Sequence, residues 1–167
     1  MKNRVLILVV FLLLAGCGNS TTKGIDSGDE MDYEVLASAK TLPEDFEETA
    51  FHREDSPHFL MRQAGNEAEL EKWWKTYRLK KEAPSVDFSE NTVFFLGLYE
   101  SGTCPVEIGD IKANADKDMM TVTTSVSDGA CTTDQTPRTI IYAVDRSVAE
   151  NIEVIEMNTG GSTFLPL

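Results

Sequence analysis

Residues 92–99 read TVFFLGLY. A strand with one wet face alternates apolar and polar side chains. Here both alternating sets, Val93 with Phe95 and Phe94 with Leu96 and Leu98, are apolar. That pattern predicts a central strand covered on two sides. Such a strand needs neighbours, and they follow on both sides in the chain. Val106 to Ile111 is the next strand, and Met119 to Ser127, MMTVTTSVS, alternates with Met120, Val122 and Val126 expected inward. Arg138 to Val144 and Ile152 to Met157 complete the C-terminal set, while Tyr33 to Ala37 and His58 to Gln63 are further candidates. Asp116-Lys117-Asp118 and Asp128-Gly129 supply turn chemistry between them. Gly160-Gly161 is expected to free the tail STFLPL to lie on the surface.

One helix is predicted before the central strand. In GNEAELEKWWKTYRLKK, Asn66 is a natural N-cap and Glu69 the closing partner of a capping box. Leu70, Trp73, Trp74 and Tyr77 fall at i, i+3, i+4 and i+7, one apolar stripe. At that spacing the paired tryptophans are core anchors rather than a ligand platform. Together these elements predict an α+β domain: a mostly antiparallel β-sheet of about five to seven strands with one packed amphipathic helix.

The N-terminus carries an address. Lys2 and Arg4 precede an unbroken apolar run from Val5 to Leu14, shorter than the roughly 20 residues a spanning helix needs. The run ends in Leu14-Ala15-Gly16-Cys17, which resembles the bacterial lipobox. The resemblance implies a signal peptide over residues 1–16 and lipidation of Cys17, with the protein anchored on the extracytoplasmic face of the cell membrane, or on the outer membrane of a host that has one. Residues 17–31, rich in Gly, Ser, Thr and Asp, are expected to be a flexible linker, and 32–167 a single globular domain.

The whole chain of 167 residues carries a net charge of −13. Loss of Lys2 and Arg4 with the signal peptide leaves 13 basic residues against 28 acidic ones, a net −15. Such a surface is repelled by nucleic acid and by anionic lipid, so attachment to the membrane is expected through the lipid alone. With Cys17 assigned to lipid, Cys104 and Cys131 remain, an even number in an exported chain, and a disulfide between them is expected. It would close a loop of about 28 residues, worth roughly 3.5 kcal/mol in the chain-entropy picture.

Catalytic constellations are sparse. The chain has no G-x-S-x-G elbow, and its two histidines, His52 and His58, lie in the acidic stretch HREDSPH. Cys104 as a nucleophile would need a base that nothing local arranges. His52, Glu54, Asp55 and His58 are zinc-type ligands, but the i, i+6 histidine spacing across Pro57 matches no helical or hairpin pair. Neither metal nor other cofactor is expected, and the chain is read as a non-enzyme.

The segments LEKWWKTY, SVDFSENTVFFLGLYESGTCPVEIGDI and GACTTDQTPRTIIYAV, in that order, resemble the C-terminal domain of PrcB-type subunits of bacterial protease complexes, over residues 59–146. Where that family carries Thr-Gly-Gly-Tyr before a Val-Glu-Ile strand, this chain has Ser101-Gly102-Thr103-Cys104, with Val106-Glu107-Ile108 intact. The resemblance implies a non-catalytic envelope lipoprotein that stabilises or docks onto another exported protein, such as a protease. The candidate contact residues are Ser101, Gly102, Thr103, Thr132, Thr133 and Arg138. Two alternatives are a protease inhibitor using the same loops and a thiol enzyme centred on Cys104.

Overall fold

The strand containing TVFFLGLY, β4 (Asn91–Glu100), has both faces buried as its sequence predicts. The computed structural model describes residues 29–52, 58–127 and 129–167. The signal segment, Cys17, most of the expected linker, and Glu54 and Asp55 lie outside the described residues. Around β4 the chain forms β1 (Asp29–Glu30), β2 (Tyr33–Ala39), α1 (Phe46–Thr49), β3 (Phe59–Ala64) and α2 (Glu67–Thr76) before it. After it come β5 (Val106–Ala113), β6 (Met119–Val126), β7 (Thr136–Asp145), α3 (Arg146–Ala149), β8 (Val154–Asn158) and β9 (Ser162–Pro166).

The fold is mostly β and mostly antiparallel, with few short helices, but the strands divide into two sheets rather than one. The four-stranded sheet has the order β2-β7-β4-β3 and the five-stranded sheet β1-β5-β6-β8-β9. Only the β6–β8 pairing is parallel among the described strands. Phe94, Leu96 and Leu98 of β4 pack with Met120, Val122, Ile155 and Met157 of the other sheet, making the core between the sheets. The alternate residues Val93 and Phe95 face the opposite way, against Phe46, Leu70, Trp74 and Tyr77. The molecule is thus three layers, sheet on sheet on helix, with β4 in the middle one.

α2 begins as its sequence predicts. The Asn66 side chain accepts the Glu69 amide at 3.0 Å, while Glu69 Oε2 reaches back to the Gly65 amide at 2.8 Å, one residue earlier than a standard capping box. Leu70, Trp74 and Tyr77 are buried, and Trp73 is half-buried with its indole N–H on Gln63 O at 2.9 Å. Gly97 permits the close docking of this layer. A Cβ there would sit 2.9 Å from Leu42 and 3.2 Å from Tyr77.

Three expectations are corrected. The tail STFLPL does not lie loose: it forms β9, antiparallel to β8, and buries Thr163 and Leu165. Val126 is 55% exposed rather than inward, because it stands at the last register of β6 against Val106, beyond the core. Asp29 and Glu30, placed in the linker by composition, pair with Ala113 and Lys112, and Met31 joins the core.

Candidate functional site

Register brings two loops to one corner. β4 ends at Glu100, which pairs with Thr136 at the start of β7. β5 starts at Val106, which pairs with Val126 at the end of β6. The chain therefore crosses from one sheet to the other in 101–105 and back again between β6 and β7, side by side. Cys104 and Cys131 are joined by a disulfide across these crossings, with Cα atoms 5.4 Å apart and a sequence separation of 27. The bridge fits a protein of an oxidising, extracytoplasmic compartment. It also engages the Cys104 sulfur, so no free thiol stands at the turn.

A web of polar contacts lies over the disulfide. Ser101 Oγ is 3.0 Å from Thr132 Oγ1 and 3.3 Å from Thr103 Oγ1. The Thr132 amide donates to Thr103 Oγ1 at 3.0 Å. Asp134 is the hub: its carboxylate accepts from the Gly102 amide at 3.2 Å, from Thr136 Oγ1 at 3.0 Å and from the Thr132 hydroxyl. The Thr132 hydroxyl, then the Thr136 hydroxyl and the Gly102 amide, hold the Asp134 carboxyl below the usual aspartate range. Glycine at 102 makes room for this approach: a Cβ there would stand 2.5 Å from an Asp134 oxygen and push the carboxylate aside.

Beneath the web, the Glu100 side chain is 1% exposed and lies 3.7 Å from Arg138 Nε. Glu100 also accepts the Val106 amide at 2.8 Å, so the last residue of β4 clamps the first residue of β5. Arg138 Nε is buried and has no hydrogen-bond partner among the described residues. Its neighbour Glu100 supplies the countercharge. Arg138, proposed from sequence as a contact residue, thus has its guanidinium turned to a buried acid. Ser101, Gly102, Thr103 and Thr132 do come together, and Thr133 stands exposed beside them.

The web forms one wall of a cleft of about 430 Å³ whose other wall carries Glu47, His58 and Tyr99. His58 Nδ1 is 3.2 Å from Glu47 Oε2. The Tyr99 phenol also bonds Glu47, which raises the phenol above its usual range. His52 and His58 meet edge to face, ring centres 4.3 Å apart, yet no group of three metal-ligating side chains gathers among the described residues. Sequence reasoning missed Asp134 and Glu100. The one signal for Asp134 was its place between Thr132 and Thr136, a local Ser/Thr/Asp cluster; its partner Gly102 lies 32 residues away.

Fold and corner together define a helix-backed two-sheet β domain whose sheet crossings are stapled into a polar rim. No protein-family model matches the chain, and no curated protein or solved structure matches it either.

Proposed function

We propose that the chain is a lipid-anchored extracytoplasmic protein, held by acyl chains on Cys17, whose rim is a non-catalytic docking surface for another exported protein. The pre-organisation of the rim carries this reading. Its two crossings are tied by the disulfide and by Asp134 before any partner arrives, which lowers the ordering cost of association. A non-catalytic role is supported by how the hydroxyls are used: Ser101, Thr103 and Thr132 bond one another, Thr132 also donates to Asp134, and His58 bonds Glu47. The resemblance to PrcB-type subunits supplies the class of partner, an exported protease that the domain stabilises.

Thr133 is the position to probe, because it is exposed at the cleft and makes no hydrogen bond among the described residues. A photo-crosslinking residue there, in the full-length protein in living cells, is expected to capture a discrete product. The control is Lys117, exposed in the β5–β6 turn at the far end of the hairpin. Capture at neither position would reduce the rim to a structural closure of the sandwich.

A further inference from the structure

A second surface lies on the opposite margin of the four-stranded sheet. β2 is an edge strand, paired on one side with β7 and on the other with no strand among the described residues. Exposed edges are templates for another chain and are commonly guarded. β2 is guarded in its first half by a register shift between Val35 and Ala37. From Ala37 to Ala39 the pairing with Ile141, Ile140 and Thr139 is regular, and no strand pairs with the outer edge there among the described residues.

Beside that open half runs a groove of about 470 Å³, bounded by residues 36–41 and by the segment 78–84 that follows α2. Its apolar lining comes from Leu36, Ala37, Trp74 and Leu79. Its collar holds Lys40, Lys80 and Lys81, all exposed and without an ion pair among the described residues. Arg78 also lines it, paired to Glu44 at 3.5 Å, and Glu82 is the one acid of the lining. Against a whole-chain charge of −13, three unpaired lysines around one apolar slot are a local reversal of sign.

We infer that this groove docks an extended, acidic segment of another polypeptide. Its backbone would pair with the outer edge of Ala37–Ala39, its apolar side chains would enter the slot, and its carboxylates would meet the lysine collar. A bilayer surface fits less well, since the acidic remainder of the domain would be repelled by anionic headgroups while the collar was attracted. The groove uses none of the rim's residues, so it stands or falls separately from the proposed docking at the rim.

The test uses the full chain purified in detergent and a fluorescein-labelled octapeptide of alternating valine and glutamate, followed by anisotropy. Binding is expected, and the exposed pair Lys80→Glu/Lys81→Glu is expected to weaken it by about tenfold or more. Methylating alternate peptide nitrogens is expected to abolish it, because a methylated amide cannot donate to the strand edge. Absence of binding, equal binding of the valine–lysine peptide, or indifference to either change overturns the inference. So does retention of the chain's lysine collar by phosphatidylglycerol vesicles, read as loss of vesicle binding in the Lys80→Glu/Lys81→Glu variant, without peptide binding.

Discussion

The middle of β4 and the rim at its end are a few residues apart in sequence and are held by different physics. Phe94, Phe95 and Leu96 are fully buried, and the hydrophobic effect packs their side chains on a strand that is paired on both edges. Gly102, Thr103 and Thr132 are exposed, where burial contributes little. Order there comes from a covalent bridge, a glycine small enough for a carboxylate to approach, and hydroxyls bonded in a closed set. Both regions are well defined, but the first is defined because water is excluded and the second although water is present. A surface that must meet a partner in one shape needs the second kind of order.

Three substitutions or conditions separate the two kinds, in falling order of effect. Phe95→Ala removes a ring packed between the four-stranded sheet and α2, edge to face with Trp74 and 5.3 Å from the Tyr77 ring. It is expected to cost about 3–5 kcal/mol in urea denaturation and to loosen the whole domain. A loss under 1 kcal/mol would show that the helix layer contributes little to the fold. The double change Cys104→Ala/Cys131→Ala is expected to cost roughly 3.5 kcal/mol or less, with the native sheets retained. Hydrogen exchange distinguishes this loss from the first: amides of 101–104 and 131–136 should exchange faster while those of β4 keep their relative protection. Unaltered exchange at the rim would mean that the polar web alone orders it.

The smallest effect is a matter of pH. Asp134 has its pKa lowered in the folded protein by the Thr132 and Thr136 hydroxyls and the Gly102 amide. A group depressed in the folded state contributes its stabilisation above the unfolded value, about 3.9, and loses it as pH falls through the folded value. The Gly102 amide resonance should therefore titrate with a midpoint below the ordinary aspartate range, and the titration should vanish in Asp134→Asn. A midpoint at the ordinary value would remove Asp134 from its place at the hub.

Legibility in the sequence followed the range of the interaction. The helix was readable because Asn66, Glu69 and the stripe from Leu70 to Tyr77 interact within a turn or two. β4 was readable because a run apolar on both alternating faces has few other solutions. β9 was not: Thr163 and Leu165 alternate correctly, but a short segment behind two glycines and ending at Pro166 looks like a tail until β8 pairs with it. β1 was hidden by composition, since Asp29 and Glu30 are as polar as the linker before them. At the rim, the cysteines could be paired by their number, whereas the hub Asp134 could not be told from any other loop acid.

By itself the sequence determined most of the strands, β1 and β9 excepted, where the helix starts and which face it buries, and that two cysteines were left to each other. Those outcomes rest on contacts between near neighbours and on the simple count of sulfurs. Only the tertiary structure decided that the strands divide into two sheets, that the crossings after β4 and after β6 leave the same corner, and that β2 is left at an edge beside a lysine collar. Strand partners are chosen by burial and register summed over the whole chain, and periodicity along one strand carries no record of that choice.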